Sequence, residues 1–283
     1  MNMTRDASWY ASQLRHELGL RNRRYARSHA HVESYGNPPV IVYAPFSGRH
    51  GNFFDPAYSA ILSRPEWLRR FDKVHAQAAR SLPKPEVDPA RRWREIDSSM
   101  SSDALLMNIF CTPGVVESPA IQNALGIESN AEPVFGWKAR VPLISGRFDR
   151  TEVDLKLALL LVEAKLTEGD FQTRESSIVE AYRDFDAVFD RELLPRVELF
   201  SARRKEPAEF PEAYSQEFES IVDAAIPAVT QNLLKSLSPS ALAAEAHNSN
   251  RARVSGYTSY QLIRNVLAAY AVDCSFCVIH DER

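Results

Sequence analysis

Residues 152–165 read Glu-Val-Asp-Leu-Lys-Leu-Ala-Leu-Leu-Leu-Val-Glu-Ala-Lys. In the first half, Glu152, Asp154 and Lys156 alternate with Val153, Leu155 and Leu157. Successive side chains on a strand point to opposite faces, so this half suits a strand with one buried face. The second half is a nearly unbroken apolar run, as expected of a strand covered on both faces. Paired as a hairpin, the two halves bring Asp154 toward Glu163 and Lys165, which lie two apart and share a face. The alternative is a helix, since Leu, Ala, Glu and Lys form helices well and no Gly, Asn or Pro marks a turn between Asp154 and Glu163. A helical protein would carry no such site. A Glu and a Lys inside an apolar run cost free energy unless they pair or ligate something, which speaks for the hairpin.

Two carboxylates converging on one point suit a hard divalent cation, Mg²⁺ or Mn²⁺. The Lys165 ammonium adds a positive donor beside any anion bound there. That trio fits phosphodiester hydrolysis: the cation polarises the phosphate and acidifies a bound water, and the ammonium steadies developing charge.

Asp154, followed by Glu163-Ala164-Lys165 after an apolar strand, resembles the PD-(D/E)XK nuclease superfamily, the restriction-endonuclease-like fold. The segment Ser98-Ser99-Met100-Ser101-Ser102-Asp103-Ala104-Leu105-Leu106-Met107-Asn108-Ile109-Phe110 is similar to a Ser-Ser-x-Ala-Leu-x-x-Asn-x-Phe helix that precedes the catalytic hairpin in one bacterial branch. The superfamily's proline is absent before Asp154; Glu152 stands two positions earlier. The resemblance covers residues 97–280. It implies an α/β core with a mixed sheet of four or five strands flanked by helices. It also implies Mg²⁺ held by Asp154, Glu163 and the backbone carbonyl of Ala164, with Lys165 orienting or helping to deprotonate the attacking water. DNA is the implied substrate, with RNA left open, and a homodimer is compatible. In the superfamily a helix after the catalytic strands offers a Gln or Arg toward the site, which makes Gln261 a helper. Arg264, one turn on, faces a phosphate or forms a surface pair. A helix ahead of the hairpin often adds an acid; Asp103 has that place, with capping of its own helix as the preferred use. A non-catalytic nucleic-acid-binding or protein-interaction module on the same fold is the alternative function.

The chain has 283 residues, 45% hydrophobic and 25% charged, an ordinary globular composition. It lacks an apolar run of membrane-spanning length and its first residues lack the apolar core of a signal peptide, so a cytoplasmic location is expected. Residues 1–95 carry a net charge of +7 and the remainder −10. A mainly helical, basic region over 1–90, with a linker at 83–90, is therefore set apart from a nuclease-like region over 91–283. The basic part reads either as a phosphate-tracking arm or as solvated helix faces. Arg91-Arg92-Trp93-Arg94 offers a backbone grip with a stacking ring, or else a snorkelling surface cluster. Ser47–Asn52 reads as an ordinary turn, with approach to a phosphate as the lesser use.

Helices are expected over 7–32, 57–81, 98–110, 176–189, 218–237 and 257–271, and strands over 40–43, 134–141 and 272–279. Residues 195–211 read as a connection, and Gly169 as a break. Cys111, Cys274 and Cys277 are too few for a disulfide framework or a four-cysteine cluster and are read as structural. The seven histidines show no metal-ligand spacing, and no Gly-rich phosphate loop or Gly-x-Ser-x-Gly elbow occurs.

Overall fold

The computed structural model describes residues 7–75, 78–84, 91–128, 131–167, 171–202 and 251–280. The expected helix over 218–237, the break at Gly169 and most of the 83–90 linker lie outside the described residues. In chain order the elements are α1 (Ala7–Ala26), β1 (His31–Glu33), β2 (Ile41–Tyr43), β3 (Pro45–Phe46), β4 (Arg49–His50), α2 (Asp55–Ser63), α3 (Pro65–Phe71) and α4 (Ala78–Ser81). Then come α5 (Ser102–Phe110), α6 (Pro119–Leu125), β5 (Pro133–Pro142), β6 (Phe148–Leu157), β7 (Leu160–Lys165), β8 (Arg174–Glu175), α7 (Ser176–Val179) and α8 (Phe185–Val188). The last are β9 (Arg196–Ala202), β10 (Arg251–Tyr257), α9 (Tyr260–Ala271) and β11 (Ser275–His280).

The 152–165 stretch is a hairpin of two strands, not a helix. Ala158, at φ +47°, turns the chain between them without a Gly or Asn. The central sheet runs β11-β7-β6-β5. β5, β6 and β7 are antiparallel neighbours, and β11 lies parallel to β7, with Val278 opposite Glu163 and His280 opposite Lys165. A parallel neighbour needs a crossover, which α9 supplies on the way to β11. This mixed sheet flanked by helices is the expected fold class.

α5 buries Leu106 and Phe110 against Leu155, Leu157, Leu160, Val162 and Ala164. By strand alternation that leaves Asp154, Glu163 and Lys165 on the opposite pleat. α9 lies against β5, β6, β7 and β11, with Ile263 and Leu267 one turn apart and buried. α2 and α3 pack Ala57, Ile61, Trp67 and Phe71 around Ala104 and Met107 of α5. The Trp67 indole N–H also donates to the carbonyl of Pro133, at 3.0 Å. Elements from before residue 90 therefore share a core with those after it.

Two compact units divide the chain elsewhere: Met1–Leu194 with Thr258–Arg283, and Pro195–Tyr257. In the second, β9 and β10 pair antiparallel from Arg196↔Tyr257 to Ala202↔Arg251. The connection expected over 195–211 thus begins as a strand, whose alternating Val197, Leu199 and polar neighbours suit a pleat.

The helix expected over 176–189 is two short pieces, α7 and α8. Between them the Ala181 carbonyl accepts from Ile144 N–H and Arg183 N–H donates to Pro142, so 181–183 pair with the β5–β6 turn instead of with their own helix. The helix expected over 7–32 stops at Ala26, and His31–Glu33 joins β2 as a strand.

The basic cluster at 91–94 serves the fold. Trp93 is buried and donates its indole N–H to Pro83, Arg91 pairs with Asp97 and Arg94 with Asp72. Trp93 therefore presents no face for a base to stack on. Ser47–Asn52 forms the β3–β4 turn, with Ser47 and Gly48 at positive φ, and its His50 points inward. The three cysteines are free.

His50 is 2% exposed, and its Nε2 lies 3.0 Å from Asp97. Its Nδ1 accepts from Asn52 N–H, so the ring is neutral with its proton on Nε2. Burial lowers its pKa below the usual value; hydrogen bonding and attraction to Asp97 oppose this, and Arg91 and Arg94 reinforce it. Unfolded, the ring titrates near its ordinary ~6.5, so the unfolded chain takes up the proton first. The ring's contribution to stability therefore shrinks as pH falls through that value. The stability lead of the wild type over His50→Gln should narrow between about pH 8 and about pH 5.5 in thermal unfolding. A lead independent of pH would contradict the neutral buried ring.

Candidate active site

β6 and β7 pair only over Leu155–Leu157 and Leu160–Val162, after which their ladder opens. In the opening, the Asp154 carboxylate takes the place of a strand: its Oδ2 accepts the backbone N–H of Ala164 at 3.0 Å. This bond sets Asp154 beside the Glu163-Ala164-Lys165 edge. Lys165 Nζ lies 3.1 Å from Glu163 Oε1, and Glu163 is 5% exposed. The other carboxylate oxygen, Oε2, accepts from the side-chain amide of Asn265 on α9 at 2.9 Å. Glu163 is thus held from both sides, by an ammonium and by a fully buried amide.

Asp154, Glu163, Lys165, Gln261 and Arg264 line one cleft of about 380 Å³. The structure brings together the side chains expected from the hairpin and both expected from the later helix. The Gln261 backbone N–H donates to Phe171, which anchors the start of α9 near the cleft. The Arg264 guanidinium stacks 5.4 Å from the Tyr260 ring centre.

Asp103 also lines the cleft, and it does not cap its helix. Ser101 is the N-cap, its hydroxyl accepting from Ala104 N–H. With the N-cap filled, the Asp103 carboxylate turns to Arg70 of α3, 2.6 Å away. The same guanidinium pairs with Glu152, and with Asp154 at 3.3 Å. Lys73 follows one turn on, 2.9 Å from Glu95 and 3.7 Å from Glu152.

Arg70 and Asn265 escaped the sequence reading. Arg70 is the second of two adjacent arginines in a basic helix, and local sequence says nothing about which one turns inward. Asn265 carried a usable signal: a lone amide between Ile263 and Leu267 on the apolar face of a helix needs a buried partner.

Five carboxylates, those of Glu95, Asp103, Glu152, Asp154 and Glu163, face the arginines and lysines Arg70, Lys73, Lys165 and Arg264, with His75 on the same lining. The Asp154 pKa is pushed up to about 7, chiefly by burial, then by the negative charges of Glu163 and Asp103; the Ala164 N–H and Arg70 pull the other way. Among the described residues, no three His, Cys, Asp or Glu side chains form a ready-made metal cluster.

A family profile described as restriction endonuclease associating with ARP matches residues 20–283. The chain belongs to that restriction-endonuclease family. No curated protein and no solved structure matches it. The family match spans the α2–α3 layer as well as the sheet, so it includes Arg70 along with the hairpin. No described helix of this restriction-endonuclease relative is long and apolar enough to cross a membrane.

A carboxyl whose folded pKa lies above its unfolded value stabilises the fold fully at low pH, and that contribution is lost as pH rises through the folded value. Asp154→Asn carries no charge at any pH. With chelator present, the variant should gain on the wild type between about pH 4 and about pH 8, by roughly 1–3 kcal/mol. Denaturant unfolding at the two pH values measures this; a difference that does not change with pH would contradict the crowding of charge at Asp154.

Proposed function

We propose that this chain is a PD-(D/E)XK nuclease that hydrolyses DNA phosphodiester bonds with Mg²⁺, for which Mn²⁺ can substitute. The observation that carries the reading is the opened β6–β7 ladder, which sets Asp154, Glu163 and Lys165 on one cleft. The donor set suits a hard cation: carboxylate oxygens predominate among its possible ligands. Asp154 and Glu163 would hold the ion, with the Ala164 carbonyl as third donor. When bound, the ion supplies Lewis-acid polarisation of the phosphate and a water of lowered pKa.

The chain's own side chains do the rest. Asn265 and Lys165 fix the two oxygens of Glu163, so that carboxylate meets its ligand without reorganising. Lys165 orients the attacking water, helps remove its proton and stabilises charge building on the phosphate. Gln261 positions the water or a phosphate oxygen from the rim, and Arg264 pairs with a backbone phosphate of the substrate.

One observation favours a second reading. Arg70 already neutralises part of the acidic group, as it would in a non-catalytic nucleic-acid-binding or protein-interaction module on this fold. Plasmid DNA separates the two. The nuclease reading expects Mg²⁺- or Mn²⁺-dependent nicking by the purified wild type. It expects a loss on the order of 10³-fold in Asp154→Ala and in Lys165→Ala, with circular dichroism unchanged. Full metal-dependent cleavage by either variant refutes these assignments, and a wild type inert with both metals favours the module.

A further inference from the structure

The Arg70 guanidinium sits in a place built for it. β5 and β6 pair in one register from Pro133↔Leu157 to Pro142↔Phe148, except opposite Asp154, where Gly136 stands. Gly136 has φ +62°, and a Cβ there would lie 3.2 Å from Arg70 Nη1 and 3.7 Å from the Glu152 carboxyl carbon. The missing side chain and the broken pairing together open a cradle between β5 and the carboxylates. Arg70 fills it, 7% exposed, and reaches Asp103, Glu152 and Asp154 at once. The fit is incomplete. Arg70 Nε is buried with no acceptor among the described residues, and the contact to Asp154 is longer than that to Asp103. A guanidinium that binds three acids, and one of them loosely, is placed to release that one.

We propose that Arg70 is the resident counter-ion of the metal site: it holds Asp103, Glu152 and Asp154 in position before a divalent cation arrives, and it gives up Asp154 when the cation binds. The inference rests on the reading of Asp154 as a metal ligand. Arg70 keeps Asp103 and Glu152 after the exchange, so it is a positioning residue and not a catalytic one. Charge supports the exchange. The five carboxylates of the cleft face two arginines, two lysines and His75, so a divalent cation shifts it toward positive charge, the sign that suits a phosphodiester. Arg70 then sets the cation affinity, because its ion pair with Asp154 is broken on every uptake.

The test is Mn²⁺ titration of the metal-free full chain, followed by the electron paramagnetic resonance signal of the free ion, in wild type, Arg70→Gln, Arg70→Lys and Asp154→Asn. Competition predicts tighter Mn²⁺ binding in Arg70→Gln, by roughly tenfold, the factor of one charge-assisted contact no longer broken. Arg70→Lys keeps the charge without the fork, and its affinity should fall between those two. A purely structural Arg70 predicts the opposite, weaker binding as the carboxylates scatter. If Arg70→Gln fails to fold, Arg70→Lys decides: tighter binding than wild type supports the exchange, and equal or weaker binding overturns it. Wild type that binds Mn²⁺, Asp154→Asn that does not, and Arg70→Gln at or below wild-type affinity would overturn the Arg70 assignment alone. Wild type without Mn²⁺ binding, or Asp154→Asn binding as well as wild type, would remove the metal site and this inference together.

Discussion

A single hydrogen bond, from the Ala164 N–H to the Asp154 carboxylate, organises the candidate site. Two antiparallel strands that continued in register would leave no room for side chains between them. Here the ladder stops after three pairs, and the orphaned donor is met by a side chain instead of a strand. A buried backbone N–H without a partner is costly, so the substitution holds Asp154 firmly in the gap. From that one contact follow the closeness of Asp154 to Glu163, the crowding of negative charge and the access of the cleft to both helical layers.

Charge crowding then dictates what the neighbouring layers contribute. Like charges confined at low dielectric repel strongly, and the fold answers with donors from opposite sides. α9 sends the Asn265 amide to Glu163, and α3 sends Arg70 to Asp103, Glu152 and Asp154. The two supports differ in kind. An amide orients a carboxylate without cancelling its charge, whereas a guanidinium cancels part of it. The Asp154 carboxyl remains hard to ionise even so, because burial, Glu163 and Asp103 together outweigh Arg70 and the Ala164 N–H. The N-terminal helices thus belong to the site, although a proline-rich stretch and a change in charge set them apart along the chain. Trp67 and Phe71 anchor α3 in the common core and fix the direction from which Arg70 enters.

Some of this was legible from residue order. The alternation of 152–157 and the apolar run after it favour two strands over the helix that the same residues could form, because a period of two suits a half-buried pleat. The acids and lysine placed on them, Asp154, Glu163 and Lys165, follow from the same period, and the helix that carries Gln261 and Arg264 follows from apolar spacings of three and four. Misreadings fell where long-range pairing overrides local preference. The stripe at 176–189 has helical spacing, yet 181–183 hydrogen-bond to the β5–β6 turn. Trp93 among arginines left a nucleic-acid grip and a snorkelling cluster both open, and the structure removes the first, since the ring is buried and its N–H goes to Pro83.

By itself, then, residue order determined the strand pair, its facing acids and the lysine beside them, since these depend on periods of two to four residues. Tertiary structure alone decided where the ladder opens, that Asp103 faces the cleft, and that Arg70 and Asn265 complete it. The contacts of Asp103, Arg70 and Asn265 among them join residues 33 to 102 positions apart. They are fixed by which buried charge finds which donor once the layers pack; local sequence signals that Asn265 needs a buried partner but not which one.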